Sequence, residues 1–217
     1  MIAVADGVAE PQERERAWGG LVELVVVVAA ALFFALVIQA FAIKPYRIPS
    51  PSMVPTLKVG DRVLVNRFSH DLGADPQLGQ IIVFNPPSGA DDSTCGRAGE
   101  GPNYDGRRSG RPCSRPTAKH SSQTFIKRLV AGPGDTISVR HGHVIRNGHA
   151  ISEPYARTCT DAACELRQIT IPPGHWFLMG DNRGDSEDSR YWGPIPTRWI
   201  IGRAFLGYWP IGRVGTL

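Results

Sequence analysis

The chain has 217 residues with a formal net charge of +4, and 42% of them are hydrophobic and 20% charged. That length and balance suit one sizeable folded domain with an accessory segment, and exclude disorder throughout. The positive charge is mild and no basic patch is interleaved with aromatics, so nucleic acid is not an expected partner, while 24 glycines and 18 prolines favour many turns over a helical bundle.

Residues 1–19 form a short tail, expected on the cytoplasmic side, in which Glu10, Glu13 and Glu15 mix with Arg14 and Arg16. From Gly20 to Ile43 the chain reads GLVELVVVVAAALFFALVIQAFAI, broken only by Glu23 and Gln39. About twenty such residues in a helix span a hydrocarbon core of roughly 30 Å. No polar face recurs at helical period, so a transmembrane helix is predicted over 20–43. Ala40–Ala42 resembles a small-residue cleavage site of an export signal, but the apolar run far exceeds the usual length and its flank is acidic, which favours a retained anchor. Lys44, Arg47, Lys58 and Arg62 follow the helix, and that count alone would place the next domain in the cytoplasm.

From residue 44 to 217 the pattern changes to short alternating runs with turn punctuation. DRVLVNRF, QIIVFNPP, TFIKRLVAG, DTISVRHG, GHWFLMGDN and WIIGRAFLGYW each read as strands, and HVIRNGHAI carries an Asn147–Gly148 hairpin turn. The predicted fold is therefore mainly β: one N-terminal transmembrane helix, then an antiparallel sheet or barrel-like domain. Two segments break the rhythm. Pro87–Ser122 is rich in Gly, Ser, Pro and Arg and reads as an inert loop insertion with no core of its own, and Arg157–Arg167 is a shorter cysteine-bracketed loop. Cys95, Cys113, Cys159 and Cys164 form no CxxC pair, so a zinc site is not expected. Three pairings are open; outside the cytoplasm, two local disulfides are the natural reading, and inside it four free thiols.

The turn IPSPSMVPTL, Ile48–Leu57, carries two serines directly after the apolar run. A serine hydroxyl is a weak nucleophile without a base. His70, His120, His141, His143, His149 and His175 stand in no triad context, and the chain has no GxSxG elbow. His141 and His143 share a strand face with no ligand partner of suitable spacing, so no metal is expected. The other base is a lysine, provided burial lowers its pKa. Among Lys44, Lys58, Lys119 and Lys127, only Lys127 sits within a core-type strand, between Phe125–Ile126 and Leu129–Val130. The bland alternative is an edge-strand lysine facing water.

IPSPSMVPTL, GDRVLVNRF, FIKRLVAGPGDTI and MGDNRGDSEDSRYWGPIP resemble, in order and spacing, the four blocks of bacterial type I signal peptidases, and VIRNGHAISEPY resembles the family's hairpin. The resemblance spans Ile48 to about Tyr208 apart from the two cysteine loops. It implies a serine endopeptidase with a Ser/Lys dyad, without cofactor or metal, that cuts signal peptides after small residues of A-x-A type. By position it implies Ser52 as nucleophile and Lys127 as general base. It further implies Ser50 as an oxyanion donor beside the Ser52 N–H, and Ser186 as the residue that orients the lysine. Asp181, Asp188 and Arg190 become structural supports, and Met53 part of the substrate-binding wall. The implied enzyme is a monomer, single-pass in the plasma membrane, with its domain on the extracytoplasmic side. Its partners are the lipid bilayer and the signal peptides of secreted precursors, and this context overrides the charge count. Pro51 stands where many members have Gly, and Gln80 where they have Asp. A related Ser/Lys peptidase with another target, an inactive precursor-binding module and a cytosolic structural module are the rival readings.

Overall fold

The computed structural model describes residues 11–41, 43–68, 75–101, 111–159 and 164–217. Residues 1–10 of the tail, Ala42 and His70 lie outside that set. The chain divides into two units, Met1–Ala42 and Ile43–Leu217.

The first unit is helix α1, Pro11–Phe41. It begins earlier than predicted, because the sequence before Gly20 is rich in good helix formers and Pro11 fits the first helical position. It ends at Phe41, and Ile43 belongs to a strand rather than to the apolar helix. Its side chains are described for 20–36 and are exposed. Among the described residues no helix is long and apolar enough to cross a membrane.

The second unit is antiparallel β. Its strands are β1 (Ile43–Arg47), β2 (Arg62–Asn66), β3 (Ile81–Phe84), β4 (Phe125–Ala131), β5 (Thr136–Arg140), β6 (His143–Arg146), β7 (His149–Ala150) and β8 (Leu166–Thr170). They continue with β9 (His175–Met179), a single-turn helix α2 (Ser189–Trp192), β10 (Ile195–Pro196), β11 (Ile200–Trp209) and β12 (Gly215–Thr216). The larger sheet runs β1-β2-β11-β3-β4-β9-β10, with β12 also paired to β11, and the smaller runs β7-β6-β5-β8.

Two-residue turns close the small sheet. Asn147 (φ 53°) and Gly148 (φ 80°) join β6 to β7, while His141 (φ 50°) and Gly142 (φ 77°) join β5 to β6. Left-handed φ at both central positions matches the twist of the flanking strands. Every residue of β3, and all of β4 after Phe125, is buried. One apolar cluster gathers Ile48, Met53, Leu57, Val63, Val83 and Ile126, and another gathers Phe84, Leu129, Leu178, Trp192 and Trp199. The Pro87–Ser122 insertion is not wholly peripheral. Its short turn Ala90–Asp92 places Ala90 in the tryptophan-lined cluster, a Pro87–His120 bridge closes its base, and Cys95–Cys113 ties its interior. Cys159 and Cys164 form the second disulfide.

Candidate active site

The serine turn is built by local chemistry. Ser50 is extended (φ −128°, ψ 158°), and Pro51 opens a single 3-10 turn, Pro51–Met53. Proline suits that first position because its fixed φ is already right and its missing N–H has no partner to lose. Pro51 thus preserves the turn, and the Ser50 hydroxyl lies 3.2 Å from Ser52 Oγ. Val54 N–H donates to the Pro51 carbonyl (3.0 Å) and Leu57 N–H to the Met53 carbonyl (2.9 Å). Across the site, Asn182 donates from its backbone to the Ser52 carbonyl (3.0 Å) and from its side-chain amide to the Pro51 carbonyl (3.2 Å).

Lys127 is opposite Ile82 on β4, which is held between β3 and β9, so it is a central-strand lysine and not an edge one. It is 4% exposed and Ser52 5%. Its ammonium donates to Ser52 Oγ at 2.6 Å, and Nζ lies 5.7 Å from the centroid of the Phe125 ring. Burial pulls its pKa from 10.5 down to about 8; the Asp188 carboxylate offsets part of that pull and Arg190 adds to it. Above that value the amine is neutral and accepts the serine proton instead of donating.

Two buried ion pairs frame the dyad. Asp188 caps α2 and accepts from Arg190 Nε (2.8 Å), Gly180 N–H (3.0 Å) and Ser186 Oγ (2.9 Å). Burial pushes the Asp188 pKa up, but Arg190 and these hydrogen bonds outweigh it and hold the group below the ordinary carboxylate value. Asp181 accepts a bidentate pair from Arg128 (2.8 and 2.7 Å) and a bond from Thr56 Oγ1 (2.5 Å). The Tyr155 ring lies 3.9 Å from the Arg128 guanidinium, and Tyr155 donates to Glu153, which pairs in turn with buried Arg183. Burial, then Glu153, pushes the Tyr155 pKa up to about 12. Between the pairs, Gly180 is required for space: a Cβ there would collide with Ser186 Oγ and sit 2.5 Å from the Ser52 carbonyl.

Of the expected site residues, Ser50, Ser52 and Lys127 are joined by one set of hydrogen bonds and Ser186, Asp188 and Arg190 by another, while Asp181 pairs with Arg128. Met53 is fully buried in the apolar cluster behind the turn. Ser186, expected to orient the lysine, donates to Asp188, a charged acceptor, and the Lys127 ammonium donates to Ser52. Asn182, Thr56 and Tyr155 are site residues that the sequence reading does not single out. Asn182 stands within the quoted block GDNR, but nothing in one sequence signals that an amide will reach back across the chain to two carbonyls.

The family model for signal peptidase, peptidase S26, matches residues 21–209. A probable signal peptidase I-2 of Synechocystis sp. is 34% identical over 203 residues, covering 94% of this chain and 78% of the relative. A probable signal peptidase I-1 from the same organism is 36% identical, covering 92% and 88%. The signal peptidase I of Leptolyngbya laminosa is 32% identical, covering 91% and 84%. The chain belongs to this family as a type I signal peptidase, a serine endopeptidase that removes signal peptides from precursor proteins.

Proposed function

We propose that Ser52 is the nucleophile of this peptidase and Lys127 its general base, acting on the extracytoplasmic side of the plasma membrane. One observation carries the reading: a lysine Nζ 2.6 Å from a serine Oγ, in a site where Lys127 is 4% exposed and its pKa falls to about 8. In its neutral form Lys127 takes the Ser52 proton as Oγ attacks the scissile carbonyl. The oxyanion that forms is held by the Ser52 N–H and the Ser50 hydroxyl, and the Lys127 ammonium then protonates the departing amine. The acyl-enzyme is released by a water that gives its proton to Lys127 in the same way. No cofactor or metal is called on.

The Asp188–Arg190 and Asp181–Arg128 pairs fix the walls around the dyad, and Ser186 steadies the carboxylate whose charge reaches the amine. The apolar cluster containing Met53, Ile48 and Ile126 backs the cleft and favours small residues at the substrate's −1 and −3 positions, the A-x-A pattern of export signals. Residues 20–43 anchor a monomer to the bilayer, with the disulfide-bearing domain in an oxidising compartment. Enzyme and precursor are then confined to one surface, which raises their effective concentration.

Ser52→Ala and Lys127→Ala are each expected to abolish cleavage of an A-x-A precursor in detergent, with EDTA without effect. Wild-type turnover by either variant removes the dyad. Labelling of the reduced cysteines from outside intact cells tests the orientation; labelling only after lysis places the domain inside.

A further inference from the structure

Pro51 C=O and Ser52 N–H belong to the same peptide unit. That bond is trans, since the described cis peptides are Val54–Pro55 and Trp209–Pro210. In a trans peptide the carbonyl and the N–H point in opposite directions. Whatever grips the Pro51 oxygen therefore aims the Ser52 N–H. Two donors grip it: Val54 N–H at 3.0 Å, from within the turn, and Asn182 Nδ2 at 3.2 Å, from a distant part of the chain. The next peptide is held as well, by Asn182 N–H on the Ser52 oxygen at 3.0 Å. One residue thus clamps the two peptide planes on either side of the reactive serine.

We infer that Asn182 is a positioning residue for oxyanion stabilisation, acting through the Pro51–Ser52 peptide. It fixes the direction of the Ser52 N–H, and by occupying the second lone pair of the Pro51 oxygen it polarises that amide and strengthens it as a donor. The effect grows as negative charge develops on the substrate oxygen, so it favours the transition state over the bound substrate. This rests on the assignment of Ser52 as nucleophile. The backbone bond of residue 182 is kept by any replacement that retains its N–H, so the side-chain bond can be removed alone.

The test compares Asn182→Ala with the wild-type full-length enzyme in detergent, measuring kcat and KM on an A-x-A peptide and the affinity for an alanine-ended peptide aldehyde. The aldehyde carbon accepts Ser52 Oγ and its oxygen takes the proton or charge in the oxyanion site. Loss of one neutral hydrogen bond predicts a roughly ten-fold fall in kcat and a similar loss of aldehyde affinity, with KM unchanged. The pH at which activity rises also stays in place, because Lys127 is untouched. Unchanged kcat and aldehyde affinity overturn the inference, as does a rise in KM with kcat intact. If Asn182→Ala folds poorly, Asn182→Leu, of similar size and without a side-chain donor or charge, carries the same comparison. Ser52→Ala run alongside separates the claims: activity in that variant sinks the nucleophile, whereas a dead Ser52→Ala beside a fully active Asn182→Ala sinks only the clamp.

Discussion

Replacing Lys127 with Met should kill the enzyme and stabilise it. The folded protein holds this amine at a pKa of about 8 against an ordinary 10.5, chiefly because burial disfavours the charge. A tenfold change in proton affinity corresponds to ~1.4 kcal/mol, so below pH 8 the buried ammonium opposes folding by about 3 kcal/mol. The sign follows from proton counting. Between pH 8 and 10.5 the unfolded chain carries the proton and the folded one does not, so wild-type stability climbs with pH across that window and levels off above it. Met fills nearly the same volume without charge, and Asp188 keeps Arg190 as its partner. At roughly 2–4 °C per kcal/mol, Lys127→Met should raise Tm at pH 7 by several degrees and show no gain at about pH 11. Thermal unfolding in detergent at both pH values measures this. A variant less stable than wild type at pH 7, or a difference that ignores pH, refutes the argument that burial sets this amine's proton affinity.

Other expectations follow from the same geometry. The kcat/KM of the wild type should rise with pH through about 8 as Lys127 loses its proton, and Asp188→Asn should move that rise to lower pH, because the carboxylate partly restores the lysine's proton affinity. Arg183→Met leaves buried Glu153 without its cation and should cost about 3–5 kcal/mol in urea unfolding. Gly180→Ala should abolish cleavage, since its methyl group collides with Ser186 and the Ser52 carbonyl. Replacing Cys95 and Cys113 by Ser should cost about 3 kcal/mol by releasing an 18-residue loop, while turnover at 25 °C persists.

The strands legible in the sequence are those with buried alternation or continuous apolar runs: β2, β3, β4, β5, β9 and β11, with the β6–β7 turn given by Asn147–Gly148. The others are β1, whose IKPYR carries a proline and two cations at the sheet edge, β8, whose LRQIT is mostly exposed, and the two-residue strands β10 and β12. Such strands form because a neighbour offers an open hydrogen-bonding edge, which their own letters do not encode. The insertion reads as coreless from its composition, yet Ala90 completes a cluster whose tryptophans, Trp176, Trp192 and Trp199, all lie much later in the chain. For the site, motif order leads to Ser52 and Lys127, but the central position of Lys127 depends on β9 arriving from later in the chain to cover β4. The Asn182 clamp and the Thr56–Asp181 bond join residues too far apart for spacing to suggest.

Lys127 and Arg128 are adjacent on β4 and lead opposite lives: the amine meets a hydroxyl, whereas the guanidinium meets a matched carboxylate. Consecutive strand residues point to opposite sides, so their order decides which cation goes where. The double substitution Lys127→Arg/Arg128→Lys keeps composition and net charge identical. It nevertheless places beside Ser52 a group that never gives up its proton and offers Asp181 a single point charge in place of a fork. Two neighbouring letters, transposed, would turn a protease into a well-charged bystander.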